Sequence, residues 1–158
     1  MCFHRIDSIT EASESHVEGN LGVNAKAVFL LCQEFYKRFS GINGRIVNFS
    51  STQNLEPLPT EIAYAISKAT VPVIVFTLAT IMATKGITIN AVNSGATEIG
   101  DAFDRNISLY QEFNKLGRLG SPEDAANIVC FLVSEEGKWI TGQIINSEGG
   151  LFRGIMKL

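Results

Sequence analysis

Apolar residues recur along this chain in two rhythms, and the alternation of those rhythms predicts its elements. In "AKAVFLLCQEFYKRF" (25–39), Val28, Leu31, Cys32 and Phe35 fall at three- and four-residue spacing, and Phe39 continues the stripe. That is the spacing of one helix face. "SGING" stops it, and upstream "SITEASESHVEGN" opens with Thr10, which reads as an N-cap followed by acidic residues suited to a helix N-terminus. "RIVNFS" (45–50) is a short β-rich run and predicts a strand, and the two prolines of "STQNLEPLPTE" predict a loop. A long helical pattern runs from Glu61 to Thr84 and ends at Lys85-Gly86. "ITINAV" (87–92) predicts a second strand, followed by the glycine-containing loop "NSGATEIG". "DAFDRNISLYQEFNKLG" predicts one or two short helices. "SPEDAANIVCFLVSEE" opens with a serine N-cap, a proline at the first helical position and two acids, a strong helix start. "TGQIINSEGG" predicts a last strand running into a Gly-Gly turn.

Short apolar strands separated by crossover helices point to a parallel sheet covered by helices, the α/β class. Length and composition fit one domain with one core. The chain has 158 residues, 46% hydrophobic and 18% charged, with 14 Gly and 4 Pro. A net charge of −3, with no run of Lys and Arg longer than two, argues against nucleic acid or an anionic membrane as a partner. The longest apolar run, "VPVIVFTLATIMA" (71–83), is too short to cross a bilayer, and no signal peptide is visible. Cys2, Cys32 and Cys130 show no CxxC spacing. Cys32 and Cys130 lie in apolar segments, which predicts buried reduced thiols and a cytoplasmic setting.

The candidate chemistry sits inside "TEIAYAISKATVP" (60–72). Tyr64 and Lys68 are four apart, one helical turn on the same face, with the small Ala65 and Ser67 around them. An ammonium close to a phenol favours the phenolate, lowering its pKa from the unperturbed value of about 10. Such a phenol can exchange a proton with an alcohol or a developing alkoxide. Alone, the spacing equally fits a surface pair whose lysine covers the ring. Ser51 adds weight: it stands thirteen positions before Tyr64, where the strand "RIVNFS" ends. Ligands of parallel sheets gather at the carboxyl ends of strands. Asn24 in "GVNAKAVFLL" falls where a helix begins or bends, a position that also suits a cap.

In order and spacing, "GRIVNFSS", Tyr64-x-x-x-Lys68, "KGITINAVNSG" and "GRLGSPEDAANIVCFLVSEEGKWITGQIINSEGG" resemble the short-chain dehydrogenase/reductase family. The resemblance covers residues 11–150, leaving 1–10 as a loose N-terminus and 151–158 as a tail of a single domain (1–158). It implies a partial Rossmann-like, doubly wound parallel sheet of three strands. It also implies a catalytic set of Asn24, Ser51, Tyr64 and Lys68. Tyr64 is then the general acid/base, Ser51 holds the substrate oxygen, Lys68 acts on the phenol and bonds the nicotinamide ribose, and Asn24 holds a relay water. Ser50 competes with Ser51, which alone has the family's spacing to the tyrosine. Ser94, Gly95 and Thr97 are implied as backbone contacts beside the nicotinamide, and the cofactor as NAD or NADP.

The sequence departs from the family in places. It holds no Gly-x-x-x-Gly-x-Gly or GxGxxG turn and no Asn-Asn-Ala-Gly segment, so it reads as a catalytic half whose nucleotide-binding strands are missing. The strand at 45–50 is then expected at an exposed sheet edge. Ser94 stands where the family usually has Pro, Ile99 where a Thr often contacts the carboxamide, and "TIMATKG" lacks an acidic residue common there. Pro72 removes the helical bond to the carbonyl of Lys68. Two readings follow. One is an oxidoreductase interconverting a small-molecule carbonyl and a secondary alcohol, with motifs similar to 3-oxoacyl carrier-protein reductases. The other is an inactive remnant acting as an interaction module, with homo-oligomer contacts through helices near 25–39 and 61–84. A serine hydrolase is excluded, because no G-x-S-x-G elbow exists and His4 and His16 are expected at surface or loop positions. Two His and three Cys nowhere take metal-ligand spacing.

Overall fold

In a computed structural model, residues 7–52, 55, 57–98 and 114–150 are described. The elements follow the predicted order. Helix α1 (Glu14–Leu21) runs through a π-helical segment (Gly22–Ala27) into α2 (Val28–Arg38). Strand β1 (Gly44–Phe49) leads to α3 (Ile62–Lys68) and α4 (Thr70–Ala83). Strand β2 (Ile87–Asn93), α5 (Pro122–Val133) and β3 (Ile144–Asn146) complete the set. The sheet order is β1-β2-β3 and both pairings are parallel, with Gly44 opposite Ile87 and Ala91 opposite Ile144. The strand bounds match the predicted ones to within a few residues. Among the described residues β1 pairs with β2 alone and stands at one side of the three-stranded sheet.

The core forms where the pleat of β2 meets the helices. Ile87, Ile89 and Ala91 alternate onto one face and pack with Val71, Val75, Ala79 and Met82 of α4 and Cys32 of α2. Val92, on the opposite pleat, is fully buried outside that cluster. Helix α5 packs against β1 and β2 with Ala125 and Leu132 buried. The fully buried Asn90 donates from Nδ2 to the carbonyl of Ile140 at 2.8 Å and accepts from the Gln143 N–H at 3.0 Å, stitching β2 to the approach of β3. Gly86, at φ +67°, makes the turn into β2. A Cβ there would stand 2.6 Å from the carbonyl oxygen of Ile42.

Several expectations are corrected. Helix α1 is capped by Ser13, whose Oγ accepts from the His16 N–H, and not by Thr10, which lies in the preceding turn. The stripe read on 25–39 is only partly a core face: Cys32 is buried, whereas Leu31 is 71% exposed and Phe35 also reaches solvent. That helix is apolar on more than one side, so spacing alone picks no single face. Cys130 is exposed on α5, because the sheet-facing positions of that helix are taken by Ala125 and Leu132. His16 lies within α1 with its side chain 10% exposed, bound to Asp7, rather than on the surface or in a loop. Asp7, inside the stretch expected to be loose, is 1% exposed.

The helical pattern at 61–84 breaks at Ala69, three residues before Pro72, which has no N–H for the Lys68 carbonyl. Taken together, Ile62–Ala83 forms 22 residues of mean hydropathy 1.8, by length and composition enough to cross a membrane and longer than the run 71–83 indicated. Here its buried stripe packs on the sheet. His4, Cys2, Ile99 and most of "DAFDRNISLYQEFNKLG" lie outside the described residues.

Candidate active site

Ser51 follows the carboxyl end of β1, Ser94, Gly95 and Thr97 follow that of β2, and Lys68 reaches the first of these ends. The N–H of Ser50 donates to the carbonyl of Val92 at 2.9 Å, extending the ladder by one residue. Backbone groups of successive strand residues point to opposite sides, so the carbonyl of Phe49 faces away from β2. The ammonium of Lys68 donates to that carbonyl at 3.0 Å, on the open side of the strand end. The same Nζ lies 5.9 Å from the centroid of the Tyr64 ring, so the phenol and the ammonium do share a helix face. Of the two competing serines, Ser50 is buried and its Oγ has no hydrogen-bond partner, whereas Ser51, the first residue beyond the ladder, is half-buried.

Asn24 sits inside the π-helical segment, not at a helix end. A π turn fits an extra residue into the helix, shifts side chains out of α register, and recurs at functional positions. Here it aims Asn24 at α3. Its Nδ2 donates to Ser67 Oγ at 3.0 Å, and the Ser67 hydroxyl in turn donates to the Tyr64 carbonyl at 2.8 Å. Ser67 is fully buried. It was not singled out from sequence, where it appears only as a small residue beside the Tyr–Lys pair. Its one legible signal is a hydroxyl three residues after the tyrosine, in reach of that residue's carbonyl.

After β2 the chain makes a rigid loop. Asn93 accepts from the Gly95 N–H through Oδ1 at 3.1 Å and donates from Nδ2 to Asn146 Oδ1 at 3.0 Å. Gly95 takes φ +63°, and a Cβ there would lie 2.7 Å from Cα of Glu148. Only glycine meets both demands. The Thr97 hydroxyl donates to the Ser94 carbonyl at 3.0 Å, and Thr97 forms a bridge with Gly120. Thr97 is buried, so its side chain holds the loop, while Ser94 and Gly95 remain half-buried. The sequence marks Asn90 only as a strand residue and Asn93 only as the first residue of the loop, because their partners lie about fifty residues further along the chain.

Behind this loop, at the end of β3, a cavity of about 440 Å³ is lined by Asn114, Arg118, Asp124, Asn146 and Glu148 among others. Arg118 grips Asp124 with two nitrogens, at 2.6 and 3.0 Å. That grip, together with the Ser121 N–H, holds the Asp124 carboxyl far below the usual carboxylate range.

A family model described as enoyl-(acyl carrier protein) reductase matches residues 3–152. An uncharacterized oxidoreductase of Bacillus subtilis, YjdA, is 42% identical over 151 residues, covering 94% of this chain and 60% of the relative. A 3-oxoacyl-[acyl-carrier-protein] reductase of Rickettsia felis is 36% identical over 136 residues, covering 83% of this chain and 56% of the relative. The crystal structure of the angucycline C-6 ketoreductase LanV with bound NADP superposes with a TM-score of 0.85 at 29% identity, over 94% of this chain and 59% of that one. A 4-hydroxyisoleucine dehydrogenase complexed with NADH gives 0.87 at 26% identity, over 95% of this chain and 65% of that one. The chain thus spans about 60% of the length of these relatives. Matches of this extent, on a three-stranded parallel sheet flanked by helices, show that the chain belongs to the short-chain dehydrogenase/reductase family of oxidoreductases.

Proposed function

We propose that this chain carries the catalytic half of an NAD(P)-dependent oxidoreductase that interconverts a carbonyl compound and a secondary alcohol. The observation that carries the reading is the placement of Lys68. Its ammonium is tied to the Phe49 carbonyl at 3.0 Å, which sets the Tyr64-bearing helix against the strand end that leads into Ser51. When bound, a nicotinamide dinucleotide supplies the hydride that no side chain can provide. The residues fit its nicotinamide end: the Ser94–Gly95 backbone is held by the Asn93 side chain and by the close packing of Gly95 on Glu148.

Tyr64 gives its phenolic proton to the oxygen of a carbonyl being reduced, or takes it from an alcohol being oxidised. Lys68 stabilises the phenolate left behind and bonds the nicotinamide ribose. Ser51 holds the substrate oxygen. Asn24, placed by the π turn and fixed by Ser67, holds a relay water to Lys68. Thr97 serves through the loop it braces. The free thiols Cys32 and Cys130 accord with a cytoplasmic setting.

The same reading includes a homo-oligomer. Val73 at 65% and Phe76 at 77% exposure stand with Ile66 and Ile81 on the outer side of α3 and α4, and Leu31 and Phe35 are exposed on α2. A second copy burying it is the arrangement under which the chain also acts as an interaction module. Nucleic acid and membrane are not partners in this reading.

The test is a titration of the purified protein with NADH and with NADPH, followed by nucleotide fluorescence, with Lys68→Ala as control. Saturable binding that Lys68→Ala abolishes is expected. No binding at millimolar nucleotide overturns the enzymatic reading and leaves the interaction module, which light scattering of wild type against Phe76→Glu then tests.

A further inference from the structure

The helix that carries Tyr64 and Lys68 is only seven residues long, and its start lacks an ordinary cap. Glu61, at the N-cap position, has φ −141° and ψ 47° and makes no side-chain cap hydrogen bond. The first N–H groups of any helix have no acceptor within it. Here one acceptor comes from 56 positions earlier: Asp7 Oδ2 accepts from the Ala63 N–H at 3.2 Å. The Asp7 N–H donates to the Thr60 carbonyl at 2.9 Å, and Asp7 forms a parallel bridge with Glu61. The segment around Asp7 therefore grips the helix start through main chain and side chain together.

A third contact orients the carboxylate. His16 Nδ1, on α1, lies 3.1 Å from the same Oδ2. Asp7 is 1% exposed and its Oδ1 has no hydrogen-bond partner, a costly way to bury a charge. A negative group at a helix N-terminus is favoured by the helix dipole, which offsets part of that cost. At its other end α3 is held by Asn24 through Ser67 and by Lys68 on the Phe49 carbonyl. Tyr64 immediately follows the residue that Asp7 grips.

We infer that Asp7 is a positioning residue for the Tyr64–Lys68 pair: its buried carboxylate, oriented by His16, fixes the first turn of α3 and so sets the phenol against the ammonium. This inference rests on the reading of Tyr64 and Lys68 as a proton-transfer pair. It assigns to the N-terminal segment a part in aligning the site, beyond holding the fold together.

The test follows the Tyr64 phenol directly, by ¹³Cζ-tyrosine NMR titration of the full chain, with Tyr64→Phe to assign the signal. Lys68→Ala should raise the Tyr64 midpoint. Asp7→Ala, which leaves the Ala63 N–H without its acceptor, should raise it by at least about half a pH unit, roughly threefold in the acid constant. Asp7→Asn keeps an acceptor for Ala63 and should show no such rise. Amide exchange at Ala65, bonded to the Glu61 carbonyl at 2.8 Å, should speed up in Asp7→Ala and recover in Asp7→Asn. If Asp7→Ala does not fold, His16→Ala removes the orienting contact and leaves the acceptor, and a smaller rise is expected.

If Lys68→Ala leaves the midpoint unchanged, the reading of the pair falls and this inference falls with it. If Lys68→Ala shifts the midpoint and neither Asp7→Ala nor His16→Ala does, Asp7 is a fold staple and the inference alone is overturned. Equal downward shifts in Asp7→Ala and Asp7→Asn also overturn it, because they report the lost charge rather than lost alignment.

Discussion

Ser67→Ala isolates the link between the π turn and the Tyr64 helix. Ser67 is fully buried, accepts from Asn24 Nδ2 at 3.0 Å and donates to the Tyr64 carbonyl at 2.8 Å. Alanine fills nearly the same volume, so no cavity term arises and the loss is that of two hydrogen bonds. Each is worth about 0.5–1.5 kcal/mol net, and a donor left unsatisfied in the interior adds to the loss. Asn24 is only half-buried and can turn partly to water, so the expected total is about 2 kcal/mol. Asn24→Ala removes one of the two bonds and should cost about 1 kcal/mol. In the double variant the shared bond is lost once, so the two effects should fall short of additivity by about 1 kcal/mol. Urea unfolding at neutral pH, followed by far-ultraviolet circular dichroism, gives these differences from the midpoint at constant m. A Ser67→Ala variant within about 0.5 kcal/mol of wild type, or a strictly additive double variant, would rule out this link.

Two further outcomes are expected. Gly95→Ala forces a side chain into φ +63° and against Glu148, so it should lose about 1–3 kcal/mol of stability and weaken nucleotide binding. Unchanged urea midpoint and fluorescence titration count against the rigid loop. For Asp124 the sign follows from its lowered pKa, caused first by Arg118 and then by the Ser121 N–H. The carboxyl stays ionised in the folded chain where the unfolded one protonates. Its stabilisation is therefore present above the ordinary carboxylate value of about 4 and is lost as pH falls from there toward the lower folded value. Urea unfolding between about pH 5 and pH 3 should show a shallower acid loss in Asp124→Asn than in wild type, and equal slopes reject the pairing.

The features legible in the sequence and those that are not separate by the range of the interactions involved. The strands at Gly44–Phe49 and Ile87–Asn93 were legible from β-rich runs, and α5 from Ser121, Pro122 and Asp124, a capping box complete within four residues. The Tyr64–Lys68 face was legible because helix geometry alone puts i and i+4 together. Each signal acts between residues a few positions apart, so composition and spacing carry it. Thr10 and Ser13 show the limit of such signals: both are good capping residues in an acidic stretch, and α1 takes Ser13.

What the chain's path decides lay beyond that range. Asn24 meets Ser67 across 43 positions, Asn93 meets Asn146 across 53, and Asp7 meets Ala63 across 56. None of these residues carries a local mark of its partner. Nor does spacing reveal that Leu31 and Cys130 face outward, because both helices are apolar on more than one side. Local pattern sufficed for most of the elements, for their parallel order and for the shared face of Tyr64 and Lys68, because periodicity and capping are local energies summed over neighbouring residues. The folded path of the chain chose which polar groups hold the Tyr64 helix, since a hydrogen bond between distant residues exists only once the sheet and its crossovers have brought them into hydrogen-bond distance.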